Sequence, residues 1–199
     1  MENPRCHGME ELPTAGPERA RVLEVLRSDA NDHPSSHSPL FTHLAHGLAY
    51  TVGSALGSTP PSVDTCLAAF LVPNKAGLTA GARAWSKHSH RSEGWNDGED
   101  DQSRREASAG WWGTASGSVA IINENALALF NKVMGGATWR NLHWLPHKVL
   151  VYEVRVPEGY GMRWSQDRSD NERNEERPWS FRGYVEPMME NGHEVGWRH

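Results

Sequence analysis

The 199-residue chain has only two cysteines, Cys6 and Cys66, too few for a disulfide framework. It has no N-x-S/T sequon and no apolar run of about 18 residues, so neither glycosylation nor a transmembrane helix is expected. The start, Met-Glu-Asn-Pro-Arg, is neither a signal-peptide core nor an Arg-rich transit segment. These absences make the cytoplasm or nucleus the expected location.

Basic charge is also short. Twenty Lys and Arg stand against 25 Asp and Glu, a formal charge of −5 with an isoelectric point near 6.1. A weak overall field of that sign argues against nonspecific binding to nucleic acid or anionic membrane, so neither is an expected partner. Apolar residues make up 37% of the chain and mean hydropathy is −0.67, low for a chain ordered throughout. Unstructured segments diluting one ordinary core would explain both values. Residues 1–38, rich in Pro, Glu, Ser, Asp and His, are the expected disordered tail. Within them only 18–27 has a helical pattern, and it is too short to hold alone. Residues 39–199 then form a single domain, with mobile loops near 92–109 and 166–177.

Periodicity divides that domain further. Leu40, Phe41, Leu44, Leu48, Val52 and Ala55 recur at helical spacing from Ser38 towards Gly57. The apolar run Cys66–Val72 reads as a short buried strand. Thr79 caps a helix to about Arg91, with His88 on the same face as Trp85. Ser118–Ile122 reads as a strand, followed by a helix from Glu124 to Met134 capped by Asn123. Residues 141–147 read as a loop, because Pro146 disfavours helix at Leu145. Lys148–Val156 is the clearest strand, and 160–165, 180–186 and 193–199 are shorter candidates. The expected fold is α+β, an antiparallel β-meander packed against two or three helices.

All nine tryptophans lie between Trp85 and Trp197. Most suit a core, while Trp112, Trp144 and Trp164 adjoin loops or polar residues and are candidate pocket walls. Strand alternation puts Glu153 and Arg155 on one face, with Arg163, Arg182, Glu186 and the Glu194/Arg198 pair able to align beside them. Arginine forks suit carboxylates and phosphates, so Arg155, Arg163 and Arg182 are candidate ligand contacts. His88, His143 and His193 are candidate proton carriers, with Glu153 as a partner. The bland alternative is a solvated sheet face of opposed charges.

Metal ligation is less well supported. His88 and His90 diverge on a helix, His143 and His147 are separated by Pro146, and no spacing makes three ligands from these with His193 and Glu194. No metal or cofactor is therefore assigned. The expected function is binding or conversion of a small anionic ligand in a Trp/Arg/His-lined pocket. The alternatives are a metal-dependent hydrolase and a noncatalytic interaction domain. Oligomeric state stays open.

Overall fold

A computed structural model describes residues 3–27, 38–89, 110–169 and 177–188. Among the described residues five α-helices run α1 (Ala15–Arg27), α2 (Pro39–Ala45), α3 (Val63–Leu71), α4 (Ala80–Ser89) and α5 (Val119–Gly136). The described strands that follow are β1 (Trp139–Leu145), β2 (Val149–Arg155), β3 (Gly161–Asp167) and β4 (Ser180–Val185). They pair antiparallel in the order β1-β2-β3-β4. The α+β meander backed by helices is the fold the sequence leads one to expect.

Side chains alternate across the sheet, so each strand contributes to two different surfaces. Leu142, Leu150, Tyr152, Val154, Met162, Trp164 and Tyr184 join the apolar core with Phe70 of α3, Ala82 and Trp85 of α4, and Phe130 and Val133 of α5. Trp139, Asn141 and His143 of β1, Glu153 and Arg155 of β2, and Arg163 and Ser165 of β3 belong to the opposite surface. One meander thus separates an apolar layer from a polar one.

Several elements differ from expectation, each for a local reason. Cys66–Val72 is not a strand but most of α3, since Ser62 Oγ accepts from Thr65 N at 3.1 Å and caps a helix there. Its buried residues Cys66, Ala69 and Phe70 have helical spacing, which a short apolar run conceals. The expected strand 118–122 is the first turn of α5, capped by Ser118. Asn123 does not cap it. Its Oδ1 accepts from Thr79 N (3.0 Å) and its Nδ2 donates to Gly77 O (2.9 Å), tying α5 to the loop before α4.

The helix expected through residue 57 stops at Ala45, and Gly47 takes a left-handed φ of 70°. Residues 49–55 instead run along β1. Ala49 N donates to Arg140 O and Ala55 N to Leu142 O, while Trp144 N donates to Gly53 O. Backbone groups on the outer edge of β1 thereby gain partners that a longer helix would deny them. The segment 141–147, expected as a loop, supplies most of β1, and Pro146 opens the turn after it.

Within the stretch assigned to a disordered tail, residues 3–27 are described and carry α1. Arg19 of α1 is buried, ion-pairs with Glu11 and donates to Leu48 O at 3.3 Å. Glu11 also accepts from Tyr50 N at 2.8 Å. The expected loop 92–109 and the strand 193–199 lie outside the described residues, as does most of 166–177. Of that last stretch, Gln166 and Asp167 complete β3. Both cysteines are free, and no helix among the described residues is long and apolar enough to cross a membrane.

Candidate functional site

The polar sheet surface centres on Glu153. Its register partner on β1 is Asn141 and on β3 is Arg163. Arg155 Nε donates to Glu153 Oε1 at 2.5 Å, and Arg163 Nε donates to Oε2 of the same carboxylate. Burial pushes Glu153 towards protonation, but the two guanidiniums and their hydrogen bonds outweigh it and hold the carboxyl below its usual range. Glu153 is therefore an anion at neutral pH, with both oxygens already engaged.

The two arginines have different surroundings. Arg155 is fully buried, and its Nη1 donates to Gly159 O (2.5 Å) and Glu186 O (2.7 Å). The chain closes over it at this end of the sheet, where Arg5 N donates to Thr138 O and His7 N to Pro157 O. Arg163 keeps 33% of its side chain in solvent. A guanidinium fixed at one edge by a carboxylate and open at the other is suited to an incoming anion.

His143 shares this surface. It pairs with Val151, two positions from Glu153 on β2, a diagonal neighbour at about 7–8 Å between backbones. Burial lowers its pKa below the ordinary 6.5. Glu153 opposes the shift, while Arg163 and Arg155 add to it. Its Nδ1 is buried with no hydrogen-bond partner. A neutral imidazole beside two guanidiniums can take up a proton but is poorly charged to donate one. On the same surface of β1, Asn141 Oδ1 and Trp139 Nε1 are also buried without partners. Buried polar atoms of this kind are rare, and three alternate residues of one strand carry them.

The remaining candidates fall elsewhere. His88 lies on α4, at the far edge of the sheet, bonded to Glu186 Oε1 and edge-on to the Trp112 ring. Trp112 is buried and donates to the same oxygen at 2.9 Å. Trp164 is not a pocket wall. It is fully buried in the core, and its Nε1 donates to Cys66 O at 3.0 Å. Trp144 is 42% exposed beside the β1–β2 turn.

Arg182 is exposed and does not line up with Arg155 and Arg163. Gly183 pairs with Arg163 and Phe181 with Trp164, so a bulge leaves Arg182 without a register partner. Glu186 points towards His88 rather than Arg163. His193, and Glu194 and Arg198 with it, lie outside the described residues. Among the described residues no group of three or more His, Cys, Asp or Glu could hold a metal ion. Asn141 and the Glu186 carbonyl join the site without a signal in the sequence that marks them. Asn141 stood in a supposed loop, and the carbonyl of Glu186 has no sequence signature.

Fold and site together define a helix-backed antiparallel meander carrying an ion-paired Arg/Glu group and a neutral histidine on its polar surface. Residues 101–171 match the family model of the CdiA C-terminal tRNase toxin domain, a little over a third of the chain. No curated protein and no solved structure matches. Asn141, His143, Glu153, Arg155 and Arg163 all fall inside the matched segment, whereas His88 and Glu186 fall outside it.

The match overturns two expectations. A nuclease-toxin likeness replaces both the small-anion pocket and the metal-dependent hydrolase. It also removes the exclusion of nucleic acid. That exclusion rested on net charge, which averages over the chain and hides local sign. Residues 110–169 hold six basic side chains (Lys132, Arg140, Lys148, Arg155, Arg163, Arg168) against four acidic ones (Glu124, Glu153, Glu158, Asp167). The acidic excess sits in other segments.

Proposed function

We propose that this chain is a ribonuclease acting on tRNA, with the polar face of the meander as its active surface. The observation that carries the reading is the Glu153–Arg155–Arg163 group beside neutral His143, inside the segment resembling a tRNase toxin domain. Cleavage of RNA without an external nucleophile uses the ribose 2′-hydroxyl. Its oxygen attacks the adjacent phosphorus, the P–O5′ bond breaks, and a 2′,3′-cyclic phosphate and a 5′-hydroxyl end result.

Each residue fits one task. His143, neutral near pH 7, accepts the 2′-hydroxyl proton. Arg163 faces the charge that builds on the phosphoryl oxygens, where a fixed cation is most effective. Glu153 is a poor base, because both oxygens are committed and its proton affinity is depressed. It orients the arginines instead, and the leaving 5′-oxygen takes its proton from water. The cytoplasm, where tRNA resides, is the place of action on this reading.

The test is direct. End-labelled tRNA transcript incubated with the purified chain is expected to yield discrete fragments ending in 2′,3′-cyclic phosphate. Arg163→Ala and His143→Ala should each lower the rate by about 10²-fold or more. Intact tRNA, or cleavage indifferent to both substitutions, would overturn the proposal.

A further inference from the structure

We infer that Glu186 is a positioning residue for the arginine pair on the polar sheet face, an inference that rests on the RNA-cleaving reading of that face. The β3–β4 ladder ends with the Gly161–Val185 pair, so no strand hydrogen bonding reaches the next residue. Glu186 is instead held by its side chain. Its Oε1 accepts from Trp112 Nε1 at 2.9 Å and bonds His88 Nε2 of α4. With the side chain tethered, the backbone carbonyl is fixed over Arg155 and accepts from its Nη1 at 2.7 Å.

The effect passes on through Arg155. A guanidinium is planar, and hydrogen bonds at two of its nitrogens define its plane. Arg155 uses Nη1 on the Glu186 and Gly159 carbonyls and Nε on Glu153 Oε1. That arrangement leaves Glu153 Oε2 aimed at Arg163. The path runs from α4 on the helix side of the sheet to Arg163, which keeps a third of its side chain in solvent. Glu186 keeps about a quarter of its side chain in solvent, but Arg155 and Glu153 beyond it are buried, so a shift of the Arg155 plane is passed on to Arg163 and not relaxed into water. Arg155 keeps the Gly159 carbonyl in any case, so the loss is one of orientation and not of the ion pair.

Glu186→Ala, Glu186→Gln and His88→Ala, measured in the full chain, separate this role from mere packing. With tRNA transcript as substrate, Glu186→Ala should lower kcat about tenfold, equivalent to about 1.4 kcal/mol of transition-state stabilisation, with KM within twofold. Glu186→Gln should retain kcat within about twofold, because its amide oxygen still accepts from Trp112. His88→Ala, which removes one of two tethers, should fall between them and serves if Glu186→Ala does not fold. Nitrogen-15 NMR of the Arg155 Nε–H gives a readout that needs no catalysis. Its protection from solvent exchange should be reduced, though not abolished, in Glu186→Ala and kept in Glu186→Gln. Unchanged protection in Glu186→Ala, or a Gln variant as impaired as Ala, would overturn the inference. If the wild-type chain leaves tRNA intact, the cleavage reading falls, and the NMR comparison alone decides whether Glu186 holds Arg155.

Discussion

Arg155 and Arg163 both donate to Glu153, yet only Arg163 keeps part of its side chain in solvent. The two should fail differently. Arg155→Ala takes one of two guanidiniums from a buried carboxylate and empties a buried site, which costs about 3–5 kcal/mol, read as a lower urea midpoint. Arg163→Ala empties no buried site and leaves Arg155 on Glu153, so it should lower that midpoint less, by an amount equivalent to about 1–3 kcal/mol, while the proposed cleavage collapses. The histidines set the pH response. His43 and His143 are both held below 6.5, chiefly by burial. Below about pH 6.5 the unfolded chain binds protons that the folded chain refuses, so stability falls as pH drops from 6.5 towards the folded pKa values. Glu153 adds a second loss at lower pH, because its folded pKa lies below the ordinary 4.5. Thermal melts from about pH 7 to pH 2 should show both phases, the second only below about pH 4.5, and His143→Ala should flatten the first.

At the level of the element, local preference and packing conflict at two places. Gly81 lies inside α4, where alanine is intrinsically better by about 1 kcal/mol. A Cβ there would lie 1.9 Å from the ring of Phe70, which is fully buried against Phe130 and Phe181. Overpacking of that kind costs about 1–3 kcal/mol, so Gly81→Ala should destabilise despite its propensity. The β1–β2 turn shows the reverse. His147 and Lys148 adopt φ of 63° and 57°, a left-handed conformation costing about 1–2 kcal/mol for a residue with a Cβ. His147 is exposed, so His147→Gly should raise the urea midpoint by an amount equivalent to about 0.5–1 kcal/mol. An unchanged or lower midpoint would show that the turn carries no such strain.

On the scale of the whole molecule, sign segregation matters more than the total of −5. The basic excess of residues 110–169 predicts that tRNA affinity weakens steeply with salt, in proportion to the phosphates contacted. A flat dependence of KM between about 50 and 200 mM salt would contradict a phosphate-binding face.

Much of this was legible in the sequence and some was not. Strand alternation alone placed Glu153 and Arg155 on one face, and the antiparallel meander brought Arg163 opposite Glu153. The same alternation failed for Arg182, because a one-residue bulge depends on how β4 meets β3 and leaves no local mark. Cys66–Val72 was misread because apolar length does not distinguish a short strand from a short helix until a cap and a packing partner decide. β1 was missed because its two sides are of mixed polarity and it gains definition only from pairing with β2 and with residues 49–55.

The sequence by itself determined the class of fold, through the periods of its apolar residues, and the chemistry available on β2 and β3. Tertiary structure decided which of those groups act together. It buried Arg155 and left Arg163 open, and it took His88 and Trp112 away to Glu186 while leaving His143 beside the arginines. The physical reason is that hydrophobic period is a local property that survives in one dimension. Burial, desolvation and hydrogen-bond partnership depend on segments far apart in the chain, and those are the quantities that set charge state and reactivity here.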